Sequence, residues 1–128
     1  MRAFVVRGRP VVTSDNSKLR PYRNEVSRCA IQQVADRPLF PKHVPVVLEV
    51  AFYFRKPESV AKKRTRHVVK PDLSKLLRAV EDALTGIVYH DDAQIVEAHI
   101  GKYYDQVERT VILVKEATEL NRELGKLA

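Results

Sequence analysis

The sequence predicts a single α+β domain, a mixed sheet of about four strands with helices packed on it, in the order β-α-β-α-β-β-α. Three observations carry this. Residues 46–55, VVLEVAFYFR, are β-branched or aromatic and apolar at nearly every position, which marks a strand inside a sheet rather than at its rim. Residues 72–84 put Leu73, Leu76, Leu77, Val80 and Leu84 on one helical face. Residues 94–102 and 109–115 alternate in the manner of strands. A chain of 128 residues, 45% of them apolar, corresponds to one domain over 1–128 with a core large enough to need no staples.

The elements follow in order. Residues 3–7, AFVVR, form a first strand, ended by Gly8 and Pro10. From about Pro21 to Ala35, Tyr22, Val26, Cys29, Ala30 and Val34 share a helical face, and Pro21 suits the first turn. Pro38, Pro41 and Pro45 make the next stretch a connector before the strand at 46–55. The helix over 72–84 has Gly86 just beyond its end as a C′ residue. The segment YYDQVE joins the last two strands and implies that they pair antiparallel. Residues 116–127 align Leu120, Leu124 and Leu127 as a short terminal helix.

Cys29 is the only cysteine, so the chain has no disulfide framework. The N-terminal MRAFVV lacks a secretory pattern, and no stretch reaches the ~18 consecutive apolar residues of a membrane span. The expectation is a soluble cytoplasmic protein that uses no membrane. Lys and Arg number 23 against 16 Asp and Glu, a net charge of +7, which favours an anionic partner, nucleic acid first.

That charge is concentrated. Residues 55–70, RKPESVAKKRTRHVVK, hold Arg55, Lys56, Lys62, Lys63, Arg64, Arg66 and Lys70 against Glu58 alone, a net +6. Such a loop is either a solvated surface segment or a grip on phosphates, which gives affinity without sequence readout. It runs straight into the helix that begins at Asp72.

Acids follow the cations. Asp72 is either a helix cap or one ligand of a metal site. Asp91 and Asp92, in YHDDAQIV, either make a turn or supply further ligands. Adjacent strand residues face opposite ways, so only one of this pair would face a site unless the backbone turns there. A helix of ~13 residues is about 20 Å long, so Asp72 meets that pair only if the next strand runs back along the helix. Carboxylates beside a basic loop suit Mg²⁺, which takes hard oxygen ligands and keeps several waters. A metal there would activate water against a phosphodiester. Opposed charges of this kind point to a nuclease.

Residues 70–102, KPDLSKLLRAVEDALTGIVYHDDAQIVEAHIGK, resemble the RusA family of Holliday junction resolvases, often encoded by phages. The family pattern is a Lys/Arg-rich loop, Pro-Asp-Leu-Asp-Asn-Leu, a helix containing Asp-Ala-Leu, and Asp-Asp-Ala/Ser-Gln-Val. YRNEV is similar to part of the family's first helix. The resemblance implies a homodimeric, Mg²⁺-dependent endodeoxyribonuclease that nicks a four-way DNA junction symmetrically in recombination and repair. It places the family's first catalytic Asp on Asp72 and its last on Asp92, with Asp91 beside it. The family's catalytic lysine falls on Arg78, which keeps the charge but not a transferable proton. Lys62, Lys63, Arg64, Arg66 and Lys70 would grip the DNA backbone.

The chain departs from the pattern at Ser74, where many relatives carry a second Asp. Three accounts follow: Ser74 works through a metal-bound water, another acid such as Asp91 or Glu81 compensates, or the protein binds junctions and cuts poorly. Ser74, Arg78 and Glu81 share a helical face, where Glu81 also reads as an ion-pair partner of Arg78. Asp82 reads as structural, paired with Arg78 or Lys75. His67 and His90 flank the site and are of the residue type most used as a general base near neutral pH, but loop and turn histidines are commoner than general bases.

Overall fold

The computed structural model describes residues 2–12, 16–60, 62–64 and 66–117. Its elements are β1 (Arg2–Arg7), α1 (Asn16–Val34), β2 (Val46–Arg55), α2 (Leu73–Leu84), a 3₁₀ turn (Asp92–Gln94), β3 (Ile95–Asp105) and β4 (Arg109–Glu116). The order β-α-β-α-β-β matches expectation. Glu116 closes β4, and the terminal helix expected over 116–127 lies outside the described residues from 118 onward.

The four strands form one sheet in the order β1-β4-β2-β3. The apolar run of β2 is internal, with β4 antiparallel on one side and β3 parallel on the other. This corrects the expected pairing of the last two strands, because β2 lies between them. At Tyr53, β2 meets Tyr103 of β3 and Arg109 of β4 at once, so the link between those strands crosses its end. The reason is α2, whose crossover returns the chain parallel to β2 and so fills that edge with β3.

Side chains alternate across the sheet. Phe4, Val6, Leu48, Val50, Phe52, Phe54, Ile112 and Val114 face the helices and are buried. Against them pack Tyr22, Val26, Ala30 and Val34 of α1 and Leu76, Ala79, Val80, Ala83 and Leu84 of α2. The Ser27 hydroxyl donates to the Ala83 carbonyl at 2.9 Å and ties the helices together. α1 begins at Asn16, five residues ahead of Pro21, which therefore lies inside the helix rather than in its first turn. Gly86 follows the C-cap Thr85 with φ +83°, the left-handed position expected of a C′ glycine.

The opposite face of the sheet carries Tyr53 and Tyr103, stacked with centroids 5.5 Å apart. The Tyr103 ring folds back over Gly101, where an added Cβ would lie 2.7–2.9 Å from ring atoms. Gly101→Ala is therefore expected to displace the Tyr103 ring and free Arg66, which rests on it 4.2 Å from the centroid. The stability cost should be about 1 kcal/mol. Faster tryptic cleavage after Arg66, mapped by mass spectrometry, is the check; unchanged cleavage would show that the ring does not hold the loop.

Candidate active site and nucleic-acid interface

The basic loop straddles the free edge of β3. Arg66 stacks on Tyr103 on the outer face, while the next residue, His67, turns to the inner face. There the His67 ring lies 3.8 Å from Phe54 and edge-on to Tyr104, and it is only 5% exposed. His67 is therefore an anchor of the loop, not an exposed general base. Burial first, then Lys102 and Arg9, holds its imidazole below the ordinary 6.5. The unfolded chain takes up this proton before the folded one does. Stability from this site is thus present above about pH 6.5 and falls as pH drops from there toward the lower folded value. His67→Phe should remove that part of the acid sensitivity, read as a flatter Tm profile between pH 7.5 and 5; an unchanged profile would assign the sensitivity elsewhere.

Lys102, from the inner face of β3, donates to the Val69 carbonyl at 2.8 Å and the Pro71 carbonyl at 2.9 Å. These bonds flank the cis Lys70–Pro71 peptide and deliver the chain to Asp72. Asp72 is the N-cap residue of α2, and its carbonyl starts the helix by accepting from Leu76 N at 3.1 Å. Its carboxylate makes no cap hydrogen bond and is exposed, with Lys75 Nζ at 3.8 Å. Asp72 thus occupies the cap position while its oxygens stay available. Lys62, Lys63, Arg64, Arg66 and Lys70 are all exposed on the segment leading here.

The second acidic group lies toward the other end of α2. The backbone turns at Asp91, whose carboxylate caps the 3₁₀ turn by accepting from Ala93 N at 2.9 Å. That bond, with a second from Asp92, holds the Asp91 carboxyl below its usual range. Asp92 is raised, first by the hydrogen bond it shares with Asp91 and then by partial desolvation and the charges of Asp91 and Asp82. Glu81 is raised by burial and by the charges of Asp92 and Asp82, and lowered by Arg78. The turn lets Asp91 and Asp92 face each other, which alternation along a strand would have prevented.

Asp72 and Asp92 do not come together within the chain. The ten residues from Asp72 to Asp82 span about 15 Å of helix axis. β3 does run back along α2, but Asp91 and Asp92 precede it, and the residue it carries to Asp72 is Lys102, whose ammonium feels that carboxylate. Among the described residues no three His, Cys, Asp or Glu groups gather closely enough to hold a metal ion. Ser74 and Arg78 are exposed on the stretch of α2 between the two acidic ends. Asp82 makes no ion pair with Arg78 or Lys75 among the described residues; Lys75 is turned to Asp72.

Gln94 holds the acidic turn. It is 6% exposed, and its amide oxygen accepts from His90 N at 2.8 Å and Asp91 N at 3.1 Å. Its amide nitrogen donates to the Pro41 carbonyl at 2.8 Å and the Val44 carbonyl at 3.1 Å. Sequence reasoning missed both Gln94 and Lys102. The glutamine following DDA was a visible signal, whereas a lone lysine within a strand pattern was not.

Fold and surface together define a small α+β domain with a cationic loop at one end of a helix and paired carboxylates at the other, the equipment of a protein that handles nucleic-acid phosphates. The profile of the RusA endodeoxyribonuclease family matches residues 2–115, and the chain belongs to that family. An uncharacterised protein of Bacillus subtilis strain 168, YqaN, is 27% identical over 129 residues, covering 89% of this chain and 91% of YqaN. No helix among the described residues is long and apolar enough to cross a membrane.

Proposed function

We propose that this protein is a Mg²⁺-dependent endodeoxyribonuclease that resolves four-way DNA junctions by paired symmetric nicks, acting as a homodimer in the cytoplasm during recombination and repair. The observation that carries this reading is the anchored basic loop. It ends at an N-cap aspartate whose carboxylate is free of cap duty, in a chain of the RusA family. Lys62, Lys63, Arg64, Arg66 and Lys70 hold the DNA backbone. Arg78 meets a phosphate beside the acidic turn.

The donor set fits the ion in part. Asp91 and Asp92 are adjacent hard oxygen donors, and the mutual repulsion that helps to raise the Asp92 carboxyl is what a bound cation would relieve. They would hold Mg²⁺ with most of its waters kept. Bound there, the ion would lower the pKa of a water and offset charge on the phosphate. Asp72 is the third carboxylate of the reaction by its match to the family motif.

A labelled four-way junction, with and without Mg²⁺ and beside plain duplex, tests the reading. Metal-dependent nicking confined to the junction is expected. Asp72→Asn and Asp92→Asn should be lost to similar extents if the two ends of α2 serve one reaction. A second reading, a weakly active junction binder, is favoured by Ser74 and by the lack of a three-ligand group among the described residues. Under that reading wild type binds without nicking and Ser74→Asp restores cleavage. Absence of any preference for junction over duplex would defeat both.

Converting Lys62, Lys63 and Arg64 to Gln should lower the salt slope of junction binding, the change in log K with log salt, by up to about 3, near one per phosphate contact. A slope equal to wild type would remove these residues from the grip.

A further inference from the structure

Beyond the ends of β2 and β3 lies a cavity of about 450 Å³ lined by Arg55, Lys56, Arg64, Tyr104, Asp105 and Gln106. Its volume suits a small organic ligand rather than a bare ion. Three of its walls are cations. Lys56 is fixed across the base of the loop, its ammonium donating to the Lys62 carbonyl at 2.7 Å. That places Nζ 5.9 Å from the Tyr104 ring centroid. Arg55 and Arg64 have no carboxylate partner among the described residues, although Asp105 lines the same cavity. Asp105 is engaged elsewhere, accepting from Arg109 Nη1 at 2.8 Å and from Gln106 N at 2.7 Å. Tyr104 is steadied by the edge of His67. The cavity thus has Tyr104 in its wall, two arginines without carboxylate partners among the described residues, and Gln106, a residue that carries an amide, in its lining.

A flat ring suits the tyrosine, an attached phosphate suits the cations, and a heterocycle's polar edge suits the amide. One chemical unit carries all three: a nucleotide with its base unpaired. We propose that this cavity receives a single extruded nucleotide from the branch point of a DNA junction, apart from Asp72 and the Asp91–Asp92 pair. The assignment rests on the junction-directed reading above. Bases at a branch point are cheaper to unstack than those inside an arm, so the pocket would favour branched over continuous duplex at no cost in sequence preference. It would also fix the junction's centre relative to the loop that grips its arms.

Photocrosslinking tests this on the intact protein. Four-way junctions carrying one 5-iodo-2′-deoxyuridine at the branch point are bound to saturation in EDTA and irradiated, and the adduct is located by peptide mass spectrometry. The expected product is an adduct on Tyr104, retained in Tyr104→Phe and reduced at least fivefold in Tyr104→Leu. Arg55→Gln with Gln106→Ala is the second variant, which leaves the packing of Tyr104 against His67 intact, and it should lose the adduct to a similar degree at saturation. Bound junction without a Tyr104 adduct overturns the proposal. So does equal labelling from iodouridine paired within an arm, or labelling only by free 5-iodo-dUMP. A junction labelled at Tyr104 but never nicked leaves the pocket standing and removes the nuclease reading. Nicking without the label does the reverse.

Discussion

Asp92→Asn should reduce junction nicking on the order of 100-fold or more while leaving the fold intact and junction binding in EDTA nearly unchanged. The size follows from removing a charged group from a preorganised site, which typically costs 10²–10³ in rate. The sign of the stability effect makes the experiment clean. Asp92 is raised by its hydrogen bond with Asp91 and by the charges of Asp91 and Asp82, so at neutral pH its ionised form is opposed by its surroundings. Asparagine keeps the shape and can donate to Asp91 without that repulsion. The melting temperature should therefore hold or rise as activity falls. Lost activity together with a lowered melting temperature would indicate a structural role instead. Full activity would mean that Asp92 is not part of the reaction.

Gln94→Leu should be the most damaging substitution near the site that leaves every acid in place. Leucine has comparable bulk but leaves four groups without their partner: the amides of His90 and Asp91 and the carbonyls of Pro41 and Val44. Each unpaired buried group costs about 1–3 kcal/mol, and part-exposure lets water recover some of that, so a net loss of about 2–3 kcal/mol is expected. At this size that corresponds to a fall in Tm of roughly 10 °C. Gln94→Glu separates the halves of the network, because a carboxylate keeps the two acceptor bonds, loses both donor bonds and adds charge beside Asp91. It should melt below wild type and cut more slowly. Thermal melts with junction cleavage below the transition are the measurement, and wild-type behaviour of both variants would show that the turn holds without its glutamine.

Much of the architecture was legible because its signals are local. The unbroken apolar run of β2 implied an interior strand, and the Leu spacing with Gly86 fixed the span of α2 to within a residue. What escaped depends on partners distant in sequence. Nothing in 94–115 reveals that β2 will separate two strands joined by a short link. Pro21 marked a helix but not its start, because a proline tolerated in a first turn also occurs deeper. The site divided the same way. Asp72 was legible as a cap position, but that its carboxylate would bypass the cap bond was not. The turn that sets Asp91 against Asp92 depends on Gln94 reaching back some fifty residues to Pro41 and Val44. The returning strand was foreseen as the way to close the distance to Asp72, yet what it brings there is Lys102.

The passage of the loop across the rim of β3, with Arg66 on one face and His67 on the other, bears on what that rim offers to other chains. β3 is the outermost strand on its side, and unpaired backbone groups on such a strand invite pairing with another chain. The segment from Arg66 to Pro71 lies over the C-terminal half of that strand, with Arg66 stacked on Tyr103 and the Val69 and Pro71 carbonyls held by Lys102. Whatever pulls the loop away uncovers a template for aggregation at the same moment. Selection for a well-seated loop can therefore act through the survival of the protein as well as through the hold on DNA proposed for it.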